Sequence, residues 1–387
     1  MKTIGVVTVA RSDYGYYRPV LQQIQADPEL QLRLIVTGMH LSPEFGLTVQ
    51  AIEQDGFEIN ERIEMLLSSD TPAGIAKSMG LGTISFAQVY ARCRPDILLV
   101  LGDRFEMHAA VVASLPFKIP VAHIHGGEST EGAIDESIRH SLTKMSHLHF
   151  ASTAIYAQRI IRMGEEPWRV VISGAPSLDN LRTMPLLSPL EIEKKYGFDP
   201  TQSTLLATFH PVTLEYEQVV VQTRELLASL EKINMGIVFT SPNADTYNRK
   251  IIEMIERFVA QHERAQFINN LGTRGYFSLM KYVAVMLGNS SSGIIEAASF
   301  KLPVVNVGNR QRGRLRGKHV IDVSCNREAI IAGIEKAVSP GFRDSLAALV
   351  NLYGDGHAAE RIVENLKQVR LDDSLLLKRF YDFPGAS

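Results

Sequence analysis

The sequence predicts an α/β protein made of two parallel-sheet domains, and three observations predict it. Short apolar runs alternate with longer amphipathic stretches along almost the whole chain, which is the rhythm of βαβ units. The strand-like runs are continuously hydrophobic, as expected where helices cover both faces of a sheet. The pattern also halts and restarts around a cluster of chain breakers, and 387 residues exceed what one ordinary core accommodates.

In chain order, Thr3–Ala10, Gln31–Thr37, Asp96–Leu101, Ile119–Ile124, His147–Ala151 and Arg169–Ile172 read as strands. Between them, Tyr16–Gln25, Pro72–Cys93, Phe105–Leu115 and Asp135–Met145 read as helices. The stretch from Ser173 to Pro189 holds Gly174, Pro176, Pro185 and Pro189, a linker composition. Strands resume at Ser203–Thr208, Gly236–Thr240, Ala265–Ile268, Val283–Leu287 and Val304–Val307. Helical patterns cover Tyr216–Leu230, Asp245–Gln261 and Ser291–Phe300, then Gly356–Val369 and Asp372–Tyr381. The expected division is a first domain over 1–180, with 366–387 packing back on it, and a second over 181–365. A cleft is expected between them, with ligands at the carboxyl ends of the strands.

Composition narrows the function classes. The chain is 45% hydrophobic and 21% charged with a formal net charge of −2, without the Lys/Arg excess of a general nucleic-acid binder. Its two cysteines, Cys93 and Cys325, lie far apart and outside any CxxC, so neither a disulfide framework nor a zinc ribbon is expected. The opening apolar run stops at Arg11-Ser12-Asp13 with no cleavage-like site, and no window reaches the ~20 apolar residues of a membrane span. The expectation is a cytoplasmic protein.

The polar residues that follow strands are the candidates for chemistry. Gly288-Asn289-Ser290-Ser291-Ser292-Gly293 lies between a strand and a helix running through Glu296. Backbone N–H groups at a helix start, with the hydroxyls of Ser290, Ser291 and Ser292, suit a phosphate. A single serine would be enough for an N-cap. Glu296 would accept from ribose hydroxyls, its plainer reading being a solvated helix residue. Arg11 and Asp13 follow the first strand. Asp13 or Ser12 serves as a helix cap, whereas a guanidinium at the strand tip suits a diphosphate or a sugar hydroxyl.

Gly102-Asp103-Arg104-Phe105-Glu106 follows the strand ending at Leu101, and Asp103 there is a candidate acid or base. His123-Ile124-His125-Gly126-Gly127-Glu128 leads to Asp135, and His125, Glu128 and Asp135 carry the expected proton-transfer roles. Alternation along a strand would turn His123 and His125 to one face, but a metal site is not expected without a further spaced ligand. His147 and His149 read as structural. His210, fixed before Pro211, is a candidate to assist a leaving phosphate. Asn243 lies in a turn that would shape a nucleotide pocket. Among the four arginines of Asn309–Arg316, Arg310 is nearest its strand and is expected to reach phosphate.

In this order and spacing the segments resemble the UDP-N-acetylglucosamine 2-epimerase family, in particular its hydrolysing branch of sialic and legionaminic acid synthesis. The resemblance spans nearly the whole chain. It includes Arg11-Ser12-Asp13-Tyr14, Thr37-Gly38-Met39-His40-Leu41, Gly102–Glu106, His123–Glu128, Asp135–His140, Gly174–Asp179, the three serines and Asn309–Arg314. It implies a GT-B architecture, two Rossmann-like domains facing a central cleft. The implied reaction converts UDP-N-acetylglucosamine and water to N-acetylmannosamine and UDP, by anti elimination of UDP and hydration of a glycal. No cofactor or metal is implied, and a homo-oligomer, dimer or tetramer, is. By position, Asp103 and Asp135 look like acid/base residues and His210 like the group assisting the diphosphate. Arg11, Arg104, Ser290, Ser291, Glu296 and Arg310 look like UDP ligands, with His40 near the sugar. Some hydrolysing relatives carry glutamate where His125 stands here, which leaves the base open between His125 and Glu128. UDP-N,N'-diacetylbacillosamine is the alternative substrate. A GT-B glycosyltransferase, a non-hydrolysing epimerase and a non-catalytic nucleotide sensor are the rival readings.

Overall fold

A computed structural model describes residues 1–69, 71–131, 133–242 and 247–382, leaving aside the side chains of 213, 214 and 216. The chain forms two compact units. The first comprises Met1–Glu128, Asp135–Arg182 and Tyr353–Ser387, the second Ser129–Ile134 and Thr183–Leu352.

The first unit is a seven-stranded parallel sheet of β1 (Lys2–Thr8), β2 (Leu30–Thr37), β3 (Ile59–Ile63), β4 (Ile97–Leu101), β5 (Val121–Ile124), β6 (Leu148–Ala151) and β7 (Val170–Ile172). Their order across the sheet is β3-β2-β1-β4-β5-β6-β7, so the winding reverses between β1 and β4. Every residue of β4 is buried, and each such aliphatic side chain contributes about 1.5–3 kcal/mol through the water it sheds. β3 is absent from the sequence reading because Ile59-Asn60-Glu61-Arg62-Ile63 carries charge and sits at the sheet edge.

The second unit is a six-stranded parallel sheet of β8 (Thr204–Thr208), β9 (Gly236–Thr240), β10 (Ala265–Ile268), β11 (Val285–Gly288), β12 (Val304–Val307) and β13 (Val320–Val323). Its order is β10-β9-β8-β11-β12-β13, with the reversal between β8 and β11. In open sheets of this kind the carboxyl edge at the reversal is where ligands bind.

The C-terminal helix Ala358–Gln368 packs on the first helix, Arg11–Ala26. Asp179 caps it across a long sequence separation, its two oxygens accepting from Ala358 N–H at 3.0 Å and Ala359 N–H at 2.7 Å. The Gly174–Asp179 segment therefore works as a clasp for this helix. The helix expected over Asp372–Tyr381 shrinks to Asp373–Leu376. The carbonyls of its last residues and of Leu377 are claimed by a side chain instead of an i→i−4 ladder. Buried Arg169 donates to the carbonyls of Ser374, Leu375 and Leu377 at 2.8, 2.9 and 3.2 Å. Lys378 in turn reaches the carbonyls of Lys144 and Ser146 and the buried carboxylate of Glu165.

The expected helix over Ser291–Phe300 is also shorter than its pattern. It is one α-turn, Ser292–Ile295, followed by a 3-10 turn, Ala297–Phe300, ending on left-handed Lys301 before Pro303. Its dipole is correspondingly smaller than that of a full helix. Among the described residues no helix is long and apolar enough to cross a membrane.

Candidate active site

In the first unit the candidate residues gather at the tips of β1, β4 and β5. Asp13 folds back on the start of its own helix. Its carboxylate accepts from the N–H groups of Val9 and Ala10 at 2.8 and 2.6 Å and from the Thr8 hydroxyl at 3.1 Å. Burial pushes its carboxyl up to about 7, against the pull of those donors. His40 is fully buried, with Nε2 3.0 Å from Thr8 Oγ1 and Nδ1 2.7 Å from Thr48 Oγ1. Burial lowers it to about 3, so the ring is neutral. Asp13 and His40 thus shape the turn that presents Arg11, which is partly exposed.

At the tip of β4, Gly102 adopts φ +76° and turns the chain out to Asp103. Buried Arg139 holds the Asp103 carboxylate through Nη2 and the His125 carbonyl through Nη1, the latter at 3.0 Å. Arg139 is one helical turn beyond Asp135 in the helix Asp135–Met145, on the same face. Arg104 sits at the next helix start and faces buried Glu106, its Nε and Nη2 each 3.3 Å from a carboxylate oxygen.

The His123–Glu128 segment divides into two environments. His123 on β5 points Nε2 at the Gly102 carbonyl, 2.7 Å away, and burial keeps it neutral, lowered to about 3. His125 lies past the strand at φ +64°, so strand alternation no longer governs its direction. Gly127, at φ +73°, could not carry a Cβ, which would meet the Tyr156 carbonyl at 2.5 Å. The turn brings Glu128 back onto His125, with Nδ1 and Oε1 2.5 Å apart. Ser152 donates to the same oxygen at 2.7 Å. His147 and His149, read as structural, are both buried. His147 Nδ1 accepts from Val121 N–H at 3.1 Å, and His149 Nε2 lies 3.1 Å from Glu165. Among the described residues no three His, Cys, Asp or Glu side chains gather as metal ligands.

In the second unit the loop after β11 meets the tip of β8. Gly288 runs at φ +131°, and a Cβ there would sit 1.9 Å from the Thr208 carbonyl. Fully buried Asn289 then ties the two strands: His210 N–H donates to its Oδ1 at 2.7 Å and its Nδ2 donates to the His210 carbonyl at 2.9 Å. The Asn289 carbonyl collects Arg310 Nη1 at 3.2 Å and Gln311 Nε2 at 2.9 Å. This draws the loop after β12 onto Ser290, Ser291 and Ser292, which are partly exposed. Burial pushes the Tyr276 phenol up, with Thr208, Ser290 and Ser292 and the charge of Glu296 near it. Glu296 is buried, not the solvated helix residue of its plainer reading. Hydroxyls and a guanidinium collected at a strand reversal are suited to hold a diphosphate. Asn243 lies outside the described residues.

Four residues escaped the sequence reading as site members: Arg139, Ser152, Asn289 and Tyr276. Arg139 and Asn289 stand inside the quoted motifs, but their partners lie 36 and 79 positions away, beyond the reach of local pattern.

Relatives with known descriptions now bear on these two edges. A family model described as UDP-N-acetylglucosamine 2-epimerase matches residues 22–367. A Legionella pneumophila protein named UDP-N,N'-diacetylbacillosamine 2-epimerase (hydrolyzing) is 38% identical, covering 98% of this chain and 99% of that one. A UDP-N-acetylglucosamine 2-epimerase of Neisseria meningitidis serogroup B is 33% identical over 88% of this chain and 89% of its own. Among solved structures, UDP-GlcNAc 2-epimerase from Neisseria meningitidis bound to UDP-GlcNAc superposes with a TM-score of 0.81 at 20% identity, covering 95% and 99% of the two chains. That likeness gives the GT-B-like fold to the two parallel sheets. With a family model over most of its length and relatives of this identity along nearly all of it, the chain is an enzyme of the UDP-N-acetylglucosamine 2-epimerase family.

Proposed function

We propose that the protein is a hydrolysing 2-epimerase of a UDP-linked 2-acetamido sugar, releasing UDP and the free 2-epimer. The observation that carries this reading is the assembly at the tips of β4 and β5, where Asp103, Arg139, His125 and Glu128 form one bonded group. A proton beside an acetamido carbon is weakly acidic, so its removal is coupled to departure of UDP and needs a positioned base. Charge developing on the departing diphosphate needs fixed donors. Arg310, the three serines and His210 take that part, and Glu296 takes the ribose hydroxyls. Arg11 and Arg104 add cations, and Asp103 and Asp135 exchange protons with the ring. No cofactor enters the sequence of steps, and water supplies the oxygen added at carbon 1.

The diacetamido sugar is the favoured substrate, because the 38% identical Legionella relative carries that name over the full length. UDP-N-acetylglucosamine is the second reading, favoured by the 33% identical Neisseria relative. Incubation of the protein with each UDP-sugar in deuterated water, followed by NMR of the products, tests both. The expected outcome is UDP with a free sugar inverted and deuterated at carbon 2. An intact UDP-sugar product, or sugar transfer to an added acceptor with carbon 2 unlabelled, would overturn the reading.

A further inference from the structure

We infer that His125, through Nε2, is the group that removes the carbon-2 proton, with Glu128 and Ser152 as the residues that position it. This rests on the epimerase reading above and resolves which of the two side chains meets the sugar.

Three features of the turn carry the assignment. Glu128 Oε1 is engaged twice, by His125 Nδ1 at 2.5 Å and by the Ser152 hydroxyl at 2.7 Å. A carboxylate so placed accepts the Nδ1 proton and fixes the tautomer in which Nε2 carries the free lone pair. Secondly, Nε2 is buried and has no hydrogen-bond partner among the described residues. An unpaired buried ring nitrogen costs about 1–3 kcal/mol, a burden more often kept where a ligand supplies the missing partner than elsewhere. Thirdly, the backbone of His125 is left-handed, φ +64°. For a residue other than glycine this costs on the order of 1–3 kcal/mol, and such strain gathers at functional positions.

The neighbours keep the ring in place. Its own carbonyl is held by Arg139, which also grips Asp103. Tyr16 meets the imidazole edge-on, with ring centroids 5.2 Å apart. The base, the carboxylate of Asp103 and the aromatic wall are therefore one connected group. An imidazole backed by a carboxylate can take a proton in the manner of the histidine–acid pairs of other hydrolases.

The step balances without a further reagent. Neutral Nε2 takes the carbon-2 proton and becomes imidazolium, whose charge Glu128 stabilises. The C–H electron pair forms the carbon 1–carbon 2 double bond, and the bond from carbon 1 to the diphosphate oxygen breaks with its pair on UDP. Water then adds across the double bond, its hydroxyl at carbon 1 and its proton, passed through the Asp103 and Asp135 carboxylates, at carbon 2 from the opposite face. The imidazolium proton is returned to solvent.

Two variants of the full chain test this. Asn tolerates the left-handed backbone, and its amide can still donate to Glu128, so His125→Asn removes Nε2 and little else. Turnover by this variant is expected to fall by a factor of about 10²–10⁴, with KM and the calorimetric affinity for UDP close to those of the wild type. His125→Gly is comfortable at the same φ, and added imidazole is expected to restore UDP release in a saturable way. If the wild type releases UDP and deuterates carbon 2 while His125→Asn turns over nearly as fast, the inference is overturned. It is also overturned if His125→Asn loses UDP affinity along with activity and imidazole does not rescue His125→Gly, since His125 then only shapes the turn. A wild type inert towards both UDP-sugars would instead sink the epimerase reading.

Discussion

Asp103 illustrates what a single position owes to its surroundings. The carboxylate stands just past a fully buried strand, itself partly exposed, and is gripped by the buried guanidinium of Arg139. Removing one partner of such a pair leaves the other uncompensated, at a cost of about 3–5 kcal/mol. Asp103→Asn avoids most of that cost, because its amide oxygen still accepts from Arg139. Expected, then, is a folded variant with a melting temperature near the wild type and UDP release reduced at least ~10²-fold, consistent with loss of a proton-transfer group. A coupled assay of UDP together with thermal melting checks both halves. Wild-type turnover would remove Asp103 from the reaction. The residue was legible in the sequence as a polar group at a strand tip. Its anchor was not, because Arg139 is distant in sequence and reads by itself as an ordinary helix arginine.

Elements rather than residues decide whether the second-unit loop keeps its shape. Asn289 joins the tips of β8 and β11 through paired hydrogen bonds to the His210 backbone. Its carbonyl also anchors Arg310 and Gln311. Asn289→Ala would remove both bonds to the His210 backbone, and a buried hydrogen bond lost from one side costs about 1–3 kcal/mol. Lower stability in denaturant titration is expected, together with clearly weaker UDP binding by calorimetry, by roughly tenfold or more if even one such penalty reaches the loop. Unchanged UDP affinity would show that the serine loop does not depend on this tie. At this scale the strands buried on both faces were readable from their continuous apolar runs, and the charged edge strands β3 and β13 were not. The Ser292–Phe300 stretch shows a further limit. A helical apolar pattern is shared by α and 3-10 turns, and the left-handed stop at Lys301, two residues before Pro303, makes the element short.

Across the whole molecule, buried imidazoles set the response to acid. Burial lowers His40 and His123 to about 3, and His147 and His319 to about 4, from an ordinary 6.5. The unfolded chain binds protons at these groups that the folded chain refuses. Their contribution is therefore intact above pH 6.5 and is lost as pH falls through the interval down to 3–4. At pH 5 each group forfeits about 2 kcal/mol, at 1.36 kcal/mol per pH unit. Asp13 acts in the opposite sense. Its carboxyl is raised to about 7 from 3.8, so its contribution is full at low pH and fades as pH rises through 7. One carboxyl does not offset several imidazoles, and a lower melting temperature at pH 5 than at pH 7 is expected by calorimetry. A higher one would show that these rings are not neutral in the fold.

The first unit takes its final pieces from Tyr353–Ser387, while the second needs nothing beyond Leu352. During synthesis the six-stranded sheet can therefore reach its finished form while the earlier-made sheet still waits for the Ala358–Gln368 helix, the Asp179 clasp unfilled and the flank of the Arg11–Ala26 helix bare to water. The half of the chain made first is completed last, so any premature stop upstream of that helix strands a nearly whole protein with the tips of β4 and β5 on an unsealed core.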